Sequence, residues 1–296
     1  MKIWWNDKLV EEEQAVVSVY DHGFLYGMGL FETFRTYGGK PFLLRLHLER
    51  LAGGCRTLGI CYQPDELKLR EAVTMLLEAN GWEDGYFRFT VTAGREALGL
   101  PAGDYEQPTV LLYAKPLPAS ARFEERARAI QRLETPRNTP EGGVRLKSLH
   151  YMNNLLGKRE LAQYPWAAGA EGVFLDREGR LAEGIVSNLF YVQDGEVRTP
   201  SLDTGVLPGI TRECILEICE EQGIPWREVL ADWDELLEAE EVFLTNSIQE
   251  LVPVHRLYEG DGTARKPRLP APGPVTSRLY AHYTKRIGEE CRDGWR

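Results

Sequence analysis

The segment KPLPASA, at 115–121, constrains the fold of this chain more than any other feature. It carries two prolines and several small residues, which suit a connection between domains better than a helix or a strand. A chain of 296 residues also exceeds the size that one small core usually serves. We therefore predict an N-terminal domain over 1–114, a linker over 115–121 and a C-terminal domain over 122–296.

Composition and charge narrow the classes of partner. The chain is 43% hydrophobic and 27% charged, as in ordinary globular proteins. Its net charge of -10 argues against nucleic acid or an anionic membrane as the main partner, because either requires a concentrated basic surface. No apolar run of about 18 residues and no signal-peptide pattern occurs. We therefore expect a small-molecule substrate rather than nucleic acid or a membrane.

Cysteine and histidine usage argues against a disulfide framework and against a metal. The cysteines form no CxxC pair and no regular spacing, at Cys55, Cys61, Cys214, Cys219 and Cys291. The five histidines show no HExxH motif or other paired spacing. We expect a protein of the reducing cytoplasm that binds no metal.

Periodicity places strands and helices along both predicted domains. The opening resembles a hairpin whose second strand covers 15–19, and helical patterns follow at 43–58 and 64–80, the second closed by Gly81. Residues 86–92 alternate apolar and polar, which predicts a half-buried strand with a polar second face. Further strands are predicted near 127–133, 172–175, 189–192, 197–199, 241–245 and 251–254. Helices are predicted after Lys147, after LPGITR and at 274–290, and 260–274 is predicted to be a flexible surface loop.

Lys147 lies in RLKSLHYMNN, at 145–154, among hydroxyl, imidazole, amide and bulky apolar groups. A lysine held in such a setting is desolvated, so its neutral amine becomes a nucleophile that forms a Schiff base with a carbonyl. This indicates a carbonyl or pyridoxal phosphate enzyme. A lysine that extends from a partly buried helix start explains the same residues, and on this segment alone both interpretations stand.

Other segments supply groups that complement such a lysine. LPGITR, at 207–212, combines a turn with a helix start, where backbone N–H groups and the Thr211 hydroxyl can hold a phosphate. Glu183 can hold a pyridine nitrogen. Three arginines can pair with phosphate or carboxylate groups, namely Arg35, Arg50 and Arg88. Each of these residues also has an ordinary structural explanation. Thr211 can be a helix cap, Glu183 a solvated carboxylate in a turn, and each arginine a member of a surface ion pair.

Six segments together resemble the fold-type IV pyridoxal phosphate enzymes, which include branched-chain aminotransferases, D-amino acid aminotransferases and 4-amino-4-deoxychorismate lyases. They occur in the family's order: DHGFLYGMGLFETFR, HLERL, RLKSLHYMNN, LAEGIVSNLF, TPSLDTGVLPGITR and EEVFLTNSIQELVPV. The resemblance implies a two-domain α+β fold like that of D-amino acid aminotransferase, with a smaller N-terminal α/β sandwich and a larger C-terminal α/β barrel-like domain. It also implies pyridoxal 5'-phosphate bound between the domains, and a homodimer whose active sites receive loops from the partner.

The resemblance also implies roles for individual residues. Lys147 matches the lysine that binds the cofactor and shuttles protons, Glu183 the partner of the pyridine nitrogen, and Arg50 the phosphate arginine. The other cofactor contacts it implies are Ser187, Asn188, Gly209, Ile210, Thr211 and Thr245. Substrate contacts are expected from Tyr26, Arg35, Arg88 and Arg95, with Arg88 preferred because its strand face is polar.

Within the superfamily, FLYGMGLFETFR and NTPEGGVRLKSLHYMNNLLGKRE look most like the bacterial 4-amino-4-deoxychorismate lyases, which eliminate pyruvate and leave 4-aminobenzoate for folate biosynthesis. Branched-chain aminotransferases commonly have a tyrosine five residues after the lysine, where this chain has Met152. D-amino acid aminotransferases share the KSL start and are the nearest alternative. A catalytically silent binding homologue is a third hypothesis. The loop 94–107 is a candidate substrate lid.

Overall fold

The computed structural model describes residues 1–117, 121–266 and 269–292, and these divide into two compact units. The first unit consists of the described residues of Met1–Ala119, Leu146–His150 and Ile287–Arg296. The second consists of those of Ser120–Arg145 and Tyr151–Arg286. The segment around Lys147 thus belongs to the first unit, which the boundaries predicted from the sequence do not anticipate. Within the predicted linker, Lys115 and Pro116 end a strand, and residues 118–120 lie outside the described residues.

The described part of the first unit is built on one antiparallel sheet and three helices, to which the last residues of a C-terminal helix are added. Its strands are β1 (Lys2–Trp5), β2 (Lys8–Glu11), β3 (Gly29–Tyr37), β4 (Lys40–Pro41), β5 (Gly85–Thr92) and β6 (Thr109–Pro116). Its helices are α1 (His22–Tyr26), α2 (Leu44–Thr57) and α3 (Glu66–Asn80). The strand order is β2-β1-β6-β5-β3-β4.

The two faces of this sheet differ in chemistry because successive side chains point to opposite sides. One face packs against α2 and α3 through a core that contains Phe34 and Phe87, whose stacked ring centroids lie 5.6 Å apart. Burying a side chain of this size contributes about 1.5–3 kcal/mol. The opposite face carries cross-strand neighbours that are mostly polar or aromatic, namely Phe31, Arg35, Tyr86, Arg88, Thr90 and Tyr113. The strand predicted at 86–92 is confirmed, although Thr90 and Thr92 on its polar face are also buried.

The two helices predicted in this unit are confirmed, and α3 shows why they form where they do. The Asp65 side chain accepts a hydrogen bond from Lys68 N at 3.1 Å, which caps the first turn. Gly81 ends α3 with a φ of 71°, a left-handed conformation that glycine adopts without strain. None of the described helices, in either unit, combines the length and the apolar character needed to cross a membrane.

The remaining elements include a closed ring of strands. The strands are β7 (Arg128–Arg132), β8 (Glu171–Leu175), β9 (Leu181–Gly184), β10 (Asn188–Gln193), β11 (Glu196–Pro200), β12 (Trp226–Val229), β13 (Glu241–Asn246), β14 (Glu250–Tyr258) and β15 (Ala264–Lys266). The helices are α4 (Met152–Leu161), α5 (Ile210–Glu221), α6 (Trp233–Leu237) and α7 (Pro274–Arg292). The ring runs β10-β13-β14-β7-β8-β9 and closes because Glu183 of β9 pairs with Asn188 of β10. This is the barrel-like domain that the resemblance implies.

Three predictions of local structure were wrong, and one strand was missed. Residues 15–19 are not a strand, because the turn at Asn6 and Asp7 returns the chain at once into β2. The loop predicted at 260–274 contains β15, which pairs with β14, and its residues 267–268 lie outside the described residues. The helix predicted after LPGITR begins within it, at Ile210. The strand β9, which contains Glu183, was not predicted, because pairing with β8 and β10 extends a short segment of weak strand propensity.

Candidate active site

Lys147 lies on a short extended segment that pairs with β3. Phe31 N donates to Lys147 O at 2.9 Å, and Leu149 N donates to Gly29 O at 3.0 Å. The Lys147 amine nitrogen is 4.8 Å from the centroid of the Phe31 ring. Because α4 begins five residues later, at Met152, Lys147 is not a residue that opens a helix. Backbone pairing instead restricts where its amine can lie.

The Phe31 ring also contacts Arg88, the arginine preferred for the substrate. The guanidinium carbon of Arg88 is 3.6 Å from the ring centroid, so the amine and the guanidinium share one aromatic neighbour. Burial raises the pKa of Tyr86, and the charge of Arg88 and a hydrogen bond from it act in the opposite direction. Arg35 lies elsewhere, with its guanidinium carbon 4.5 Å from the Tyr37 ring centroid. The structure therefore brings Arg88, rather than Arg35, to the ring beside Lys147.

A buried carboxylate, Glu32, holds the arginine expected to bind phosphate. Arg50 donates to Glu32 through Nε at 2.7 Å and Nη2 at 2.6 Å, and His47 Nδ1 lies 2.7 Å from the same carboxylate. Burial raises the pKa of Glu32, but the charge of Arg50 and the hydrogen bonds from His47 and Arg50 outweigh it and lower the pKa to about 2. Burial lowers the pKa of His47; Glu32 opposes this shift, and the charges of Arg50 and Lys147 add to it. Glu32 was missed from the sequence, although a charged residue on the core face of a strand was a usable signal.

Tyr26 and Arg95 lie at the base of the loop 94–107. Tyr26 Oη accepts a hydrogen bond from Gly99 N at 3.2 Å. Arg95 is exposed and pairs through its backbone with Asp21. His22 Nε2 lies 2.9 Å from Ala97 O, which attaches the start of the loop to α1. Both predicted substrate residues thus contact or belong to the candidate lid rather than the ring of Phe31.

In the second unit, closure of the strand ring places Glu183 in a network of donors. Oε1 of Glu183 accepts a hydrogen bond from Arg137 Nε at 2.8 Å and lies 2.8 Å from Arg137 Nη2 in the same ion pair. Oε2 accepts from Leu207 N at 3.0 Å and lies 3.5 Å from Asn188 Nδ2. Arg145 Nε is 3.8 Å from Oε1. Neither arginine was predicted as a site residue, and nothing in their spacing distinguishes them from surface arginines.

The start of α5 lies beside Glu183 and offers donors for an anion. Gly209 is the N-cap residue, and no side chain among the described residues caps this helix. Asn188 Nδ2 donates to Leu207 O at 2.9 Å, and a Cβ built on Gly209 would lie 2.0 Å from Asn188 Oδ1. Only glycine therefore permits this approach. The structure therefore brings Asn188 against the turn that precedes α5.

Two threonines flank this helix start. Thr211 Oγ1 lies 3.4 Å from Ser247 Oγ. Thr245 lies opposite Asn188 in the pairing of β13 with β10, and its hydroxyl is buried without a hydrogen-bond partner in the part of the chain that the structure describes. A buried hydroxyl without a partner is costly, which indicates a polar ligand at this position.

Ser187 contacts a different group. Its hydroxyl donates to Glu171 Oε1 at 3.2 Å, and the same oxygen accepts from Val186 N at 3.0 Å. Burial raises the pKa of Glu171. A Cβ on Gly184 would lie 2.2 Å from Ser187 Oγ, so the turn between β9 and β10 is tightly packed. Ser187 thus helps to fix the turn that precedes Asn188.

Known proteins similar to this chain point to one family. The family model "Amino-transferase class IV" matches residues 29–257. The chain is 40% identical to the aminodeoxychorismate lyase of Bacillus subtilis (strain 168), over 96% of this chain and 94% of that protein. The solved 4-amino-4-deoxychorismate lyase from Pseudomonas aeruginosa is similar with a TM-score of 0.80 and 31% identity, covering 96% of this chain and 98% of that one. The solved branched-chain amino acid aminotransferase from Escherichia coli gives a TM-score of 0.83 and 28% identity, covering 100% of this chain and 97% of that one.

Proposed function

The chain belongs to the amino-transferase class IV family, and from this membership we propose that it is a pyridoxal 5'-phosphate-dependent lyase that converts 4-amino-4-deoxychorismate to 4-aminobenzoate and pyruvate. The similarity to the lyase from Bacillus subtilis along nearly the whole chain carries this proposal. Because fold alone does not fix a reaction, the substrate requires a direct test.

The residues present fit the cofactor. Lys147 supplies an amine for its aldehyde, and Glu183 supplies a buried carboxylate for its pyridine nitrogen. The uncapped start of α5 supplies backbone N–H groups for its phosphate. The buried Thr245 hydroxyl, which has no partner within the described residues, supplies a further donor. When bound, the cofactor withdraws electrons from the substrate carbon that bears the amino group and so makes its proton removable.

The remaining roles follow from the contacts of each residue. Lys147 removes the proton from the substrate carbon that bears the amino group. Arg88, on the ring that also contacts Lys147, binds a substrate carboxylate through its guanidinium fork. Arg50, held by Glu32, binds the phosphate together with the backbone of Gly209, Ile210 and Thr211. Asn188 and Ser187 fix the turns around Glu183.

The lyase reaction needs one further bond to break. Once the proton has left, the electron pair forms a double bond to the neighbouring carbon while the bond from that carbon to the enolpyruvyl oxygen breaks. The released enol takes up a proton to give pyruvate, and the ring that remains is aromatic. We propose that Arg35 binds the second substrate carboxylate. Tyr26 and Arg95 are proposed to contact the substrate where the loop 94–107 covers it.

Release of both products tests this function. Purified protein with pyridoxal phosphate is supplied with freshly made aminodeoxychorismate, and 4-aminobenzoate and pyruvate are measured over time. We expect equal amounts of the two products over many turnovers. Absence of 4-aminobenzoate from protein that shows bound cofactor by absorbance rejects the lyase.

An aminotransferase is the second candidate. The similarity to the branched-chain amino acid aminotransferase from Escherichia coli favours it, because that structure matches at least as closely in fold as the lyase from Pseudomonas aeruginosa does. Lys147 and Glu183 serve both reactions, since both begin with the same proton transfer. Production of a keto acid from D-amino acids or from branched-chain amino acids, without 4-aminobenzoate from aminodeoxychorismate, identifies this function.

We further propose that the protein is a homodimer. Large apolar side chains of the first unit are at least 67% exposed at Val16, Val19, Phe24, Leu98 and Leu100. The segments that carry them are neighbours, because Glu96 N donates to Tyr20 O and Gly99 N to Tyr26 Oη. Monomers rarely expose such contiguous apolar surface, so a second copy of this chain is the proposed cover.

A cytoplasmic location is proposed on cysteine chemistry. All five cysteines lie within the described residues and none forms a disulfide. Burial raises the pKa of Cys55 to about 11 and of Cys219 to about 12, which keeps these thiols protonated and unreactive. This usage suits a reducing compartment, where folate biosynthesis would also find its substrates.

A further inference from the structure

We infer that Arg137 is a positioning residue, which orients the Glu183 carboxylate for the cofactor without contacting the cofactor itself. The inference rests on the proposed function. Arg137 and Glu183 are each 5% exposed. The guanidinium Nε donates to Oε1 of the carboxylate at 2.8 Å, and Nη2 lies 2.8 Å from the same oxygen as part of the ion pair. A charge-assisted hydrogen bond with a second close cationic nitrogen holds Oε1 in place.

The guanidinium is itself held from the other side. Its Nη1 donates to Asn153 Oδ1 at 2.7 Å, and to Asn138 Oδ1 and Asn154 Oδ1 at 3.2 and 3.3 Å. Asn153 is in turn fixed because its Nδ2 donates to Pro136 O at 3.0 Å. Nε and Nη1 of the Arg137 guanidinium therefore both donate hydrogen bonds, and the side chain cannot turn without breaking several of them.

The same network reaches the turn that follows Glu183. Asn154 Nδ2 donates to Ile185 O at 2.6 Å, and Ile185 lies two residues after Glu183. Asn154 thus links the guanidinium of Arg137 to the backbone that carries the carboxylate. The first turn of α4, the segment at 136–138 and β9 act as one support for Glu183.

The division of donors leaves the carboxylate with capacity for a ligand. Oε1 accepts the bond from Arg137 Nε, whereas Oε2 accepts a close bond from Leu207 N and a long one, at 3.5 Å, from Asn188 Nδ2. A carboxylate has about four lone-pair sites, so with these three hydrogen bonds it retains an acceptor site. The cations beside Oε1, which are Arg137 and Arg145, stabilise negative charge at Glu183. A negative carboxylate is the partner that a protonated pyridine nitrogen requires.

The charge balance of the cluster supports this role. Arg145 is also buried, and burial lowers its pKa to about 10, with the charge of Arg137 adding to the shift and Glu183 and Glu141 opposing it. Two guanidinium groups therefore share one close carboxylate. The surplus positive charge favours a negatively charged group at the position of Glu183.

The test compares buried Arg137 with partly buried Arg126, an arginine of the same unit that also pairs with a buried carboxylate. Arg137→Gln removes the positive charge beside Glu183. The control, Arg126→Gln, removes the ion pair between Arg126 and Glu250, whose atoms are 2.5 Å apart and which involves neither Arg137 nor Glu183. The readouts are the pH midpoint of the visible absorbance of bound pyridoxal phosphate, the dissociation constant of pyridoxal phosphate from the apoprotein, and thermal unfolding of the apoprotein. Arg137→Lys, which keeps the charge, serves as the conservative variant.

We expect Arg137→Gln to move the pH midpoint by about one unit and to raise the dissociation constant about tenfold, as loss of a supporting partner does at other ligand groups. Glu183→Gln is expected to give the same change, with no further change in the double variant. Arg137→Lys is expected to restore most of the midpoint. If Arg137→Gln does not fold, Asn153→Ala replaces it, because it removes the acceptor that holds Arg137 Nη1 at 2.7 Å, and a smaller shift of the midpoint in the same direction is expected. Arg126→Gln is expected to alter unfolding alone.

An unchanged midpoint and dissociation constant in Arg137→Gln, with only the unfolding shift seen for Arg126→Gln, would overturn the inference. A wild-type protein that binds pyridoxal phosphate but releases no 4-aminobenzoate rejects the lyase and leaves this test intact, because neither absorbance nor cofactor binding requires the substrate. The two proposals therefore fail by different measurements.

Discussion

Glu32 and Glu183 are buried carboxylates that each pair with an arginine, but the two pairs have different proposed roles. Glu32 takes a bidentate contact from Arg50, so the carboxylate supports the arginine that is proposed to bind phosphate. At Glu183 the order is reversed, since Arg137 supports the carboxylate that is proposed to bind the cofactor. In both cases a charge that would be costly in the interior is compensated by a partner at hydrogen-bond distance.

Replacing Lys147 tests the covalent attachment of the cofactor. We expect Lys147→Ala to abolish turnover and to leave no cofactor mass on the chain after borohydride reduction, because the amine that reacts with the aldehyde is missing. Lys158→Ala, at an exposed lysine of α4, is the control and should retain both. Retained activity in Lys147→Ala would contradict the assignment.

Replacing Glu32 tests the pH dependence of stability. The pKa of Glu32 falls from 4.5 to about 2 on folding, so between these values the unfolded chain binds more protons than the folded one. Acidification through this range therefore costs stability, by up to about 3 kcal/mol. We expect Glu32→Gln to be less stable at pH 7, because it leaves Arg50 without its carboxylate, but to lose less stability down to pH 2 in urea unfolding.

The control for this prediction is Glu49→Gln on the same helix. Glu49 pairs with Arg45 at 3.1 Å on the exposed side of α2, where an ion pair contributes little. Its unfolding profile should run parallel to that of the wild-type protein. If the free energy of unfolding of Glu32→Gln falls with pH as steeply as that of the wild-type protein and of Glu49→Gln, Glu32 does not cause the acid sensitivity.

At the scale of elements, the start of α5 and the polar face of β5 carry the proposed binding groups. At the start of α5, Gly209 has no side chain and so lets Asn188 approach the turn. The polar face of β5 can carry a binding group because side chains alternate along a strand, which places Arg88 on the face opposite the apolar core. Each element therefore combines a structural face with a binding face.

Gly209→Ala tests the helix start. Its Cβ would lie 2.0 Å from Asn188 Oδ1, so the Asn188 side chain must move and its hydrogen bond to Leu207 is lost. We expect the dissociation constant of pyridoxal phosphate to rise about tenfold or more, which corresponds to about 1.4 kcal/mol. Gly142→Ala, where a Cβ would meet nothing within 4 Å, should bind as the wild-type protein does.

Arg88→Gln tests the polar face of β5. We expect kcat/KM for aminodeoxychorismate to fall about 100-fold, with cofactor binding unchanged, because a charged partner of a substrate carboxylate is removed. Arg95→Gln, at an exposed position in the candidate lid, should lower kcat/KM less. An equal loss in the two variants would place the carboxylate contact elsewhere.

At the scale of the molecule, the exposed apolar surface of the first unit predicts the assembly. Phe24 and Leu100 are 72% and 86% exposed, and we expect Phe24→Glu with Leu100→Glu to convert a dimer to a monomer in sedimentation velocity. Burying a carboxylate in an apolar contact is costly, which gives the direction of the change. Leu67→Glu on α3, at 69% exposure, is the matched control and should stay dimeric. A wild-type monomer at micromolar concentration would reject the homodimer.

The sequence by itself determined the local elements and the chemical groups. Asp65 begins α3 and Gly81 ends it, through contacts within one helical turn, and the alternation of residues 86–92 indicates a strand. Both elements can therefore be predicted from neighbouring residues along the chain. The motifs likewise indicated an amine, a carboxylate and a helix start for a cofactor. Local pattern failed at 15–19 and at β9, where a turn and the pairing of neighbouring strands outweighed propensity.

Only the tertiary structure decided which groups meet. Arg137 contacts Glu183 across 46 positions because β9 closes a ring with β10, and Phe31 meets both Arg88 and Lys147 because β3 pairs with β5 on one side and with a segment more than 100 residues away on the other. No spacing along the chain encodes these contacts. They arise from strand pairing and from the burial of charge, which depend on the whole fold and not on a window of neighbouring residues.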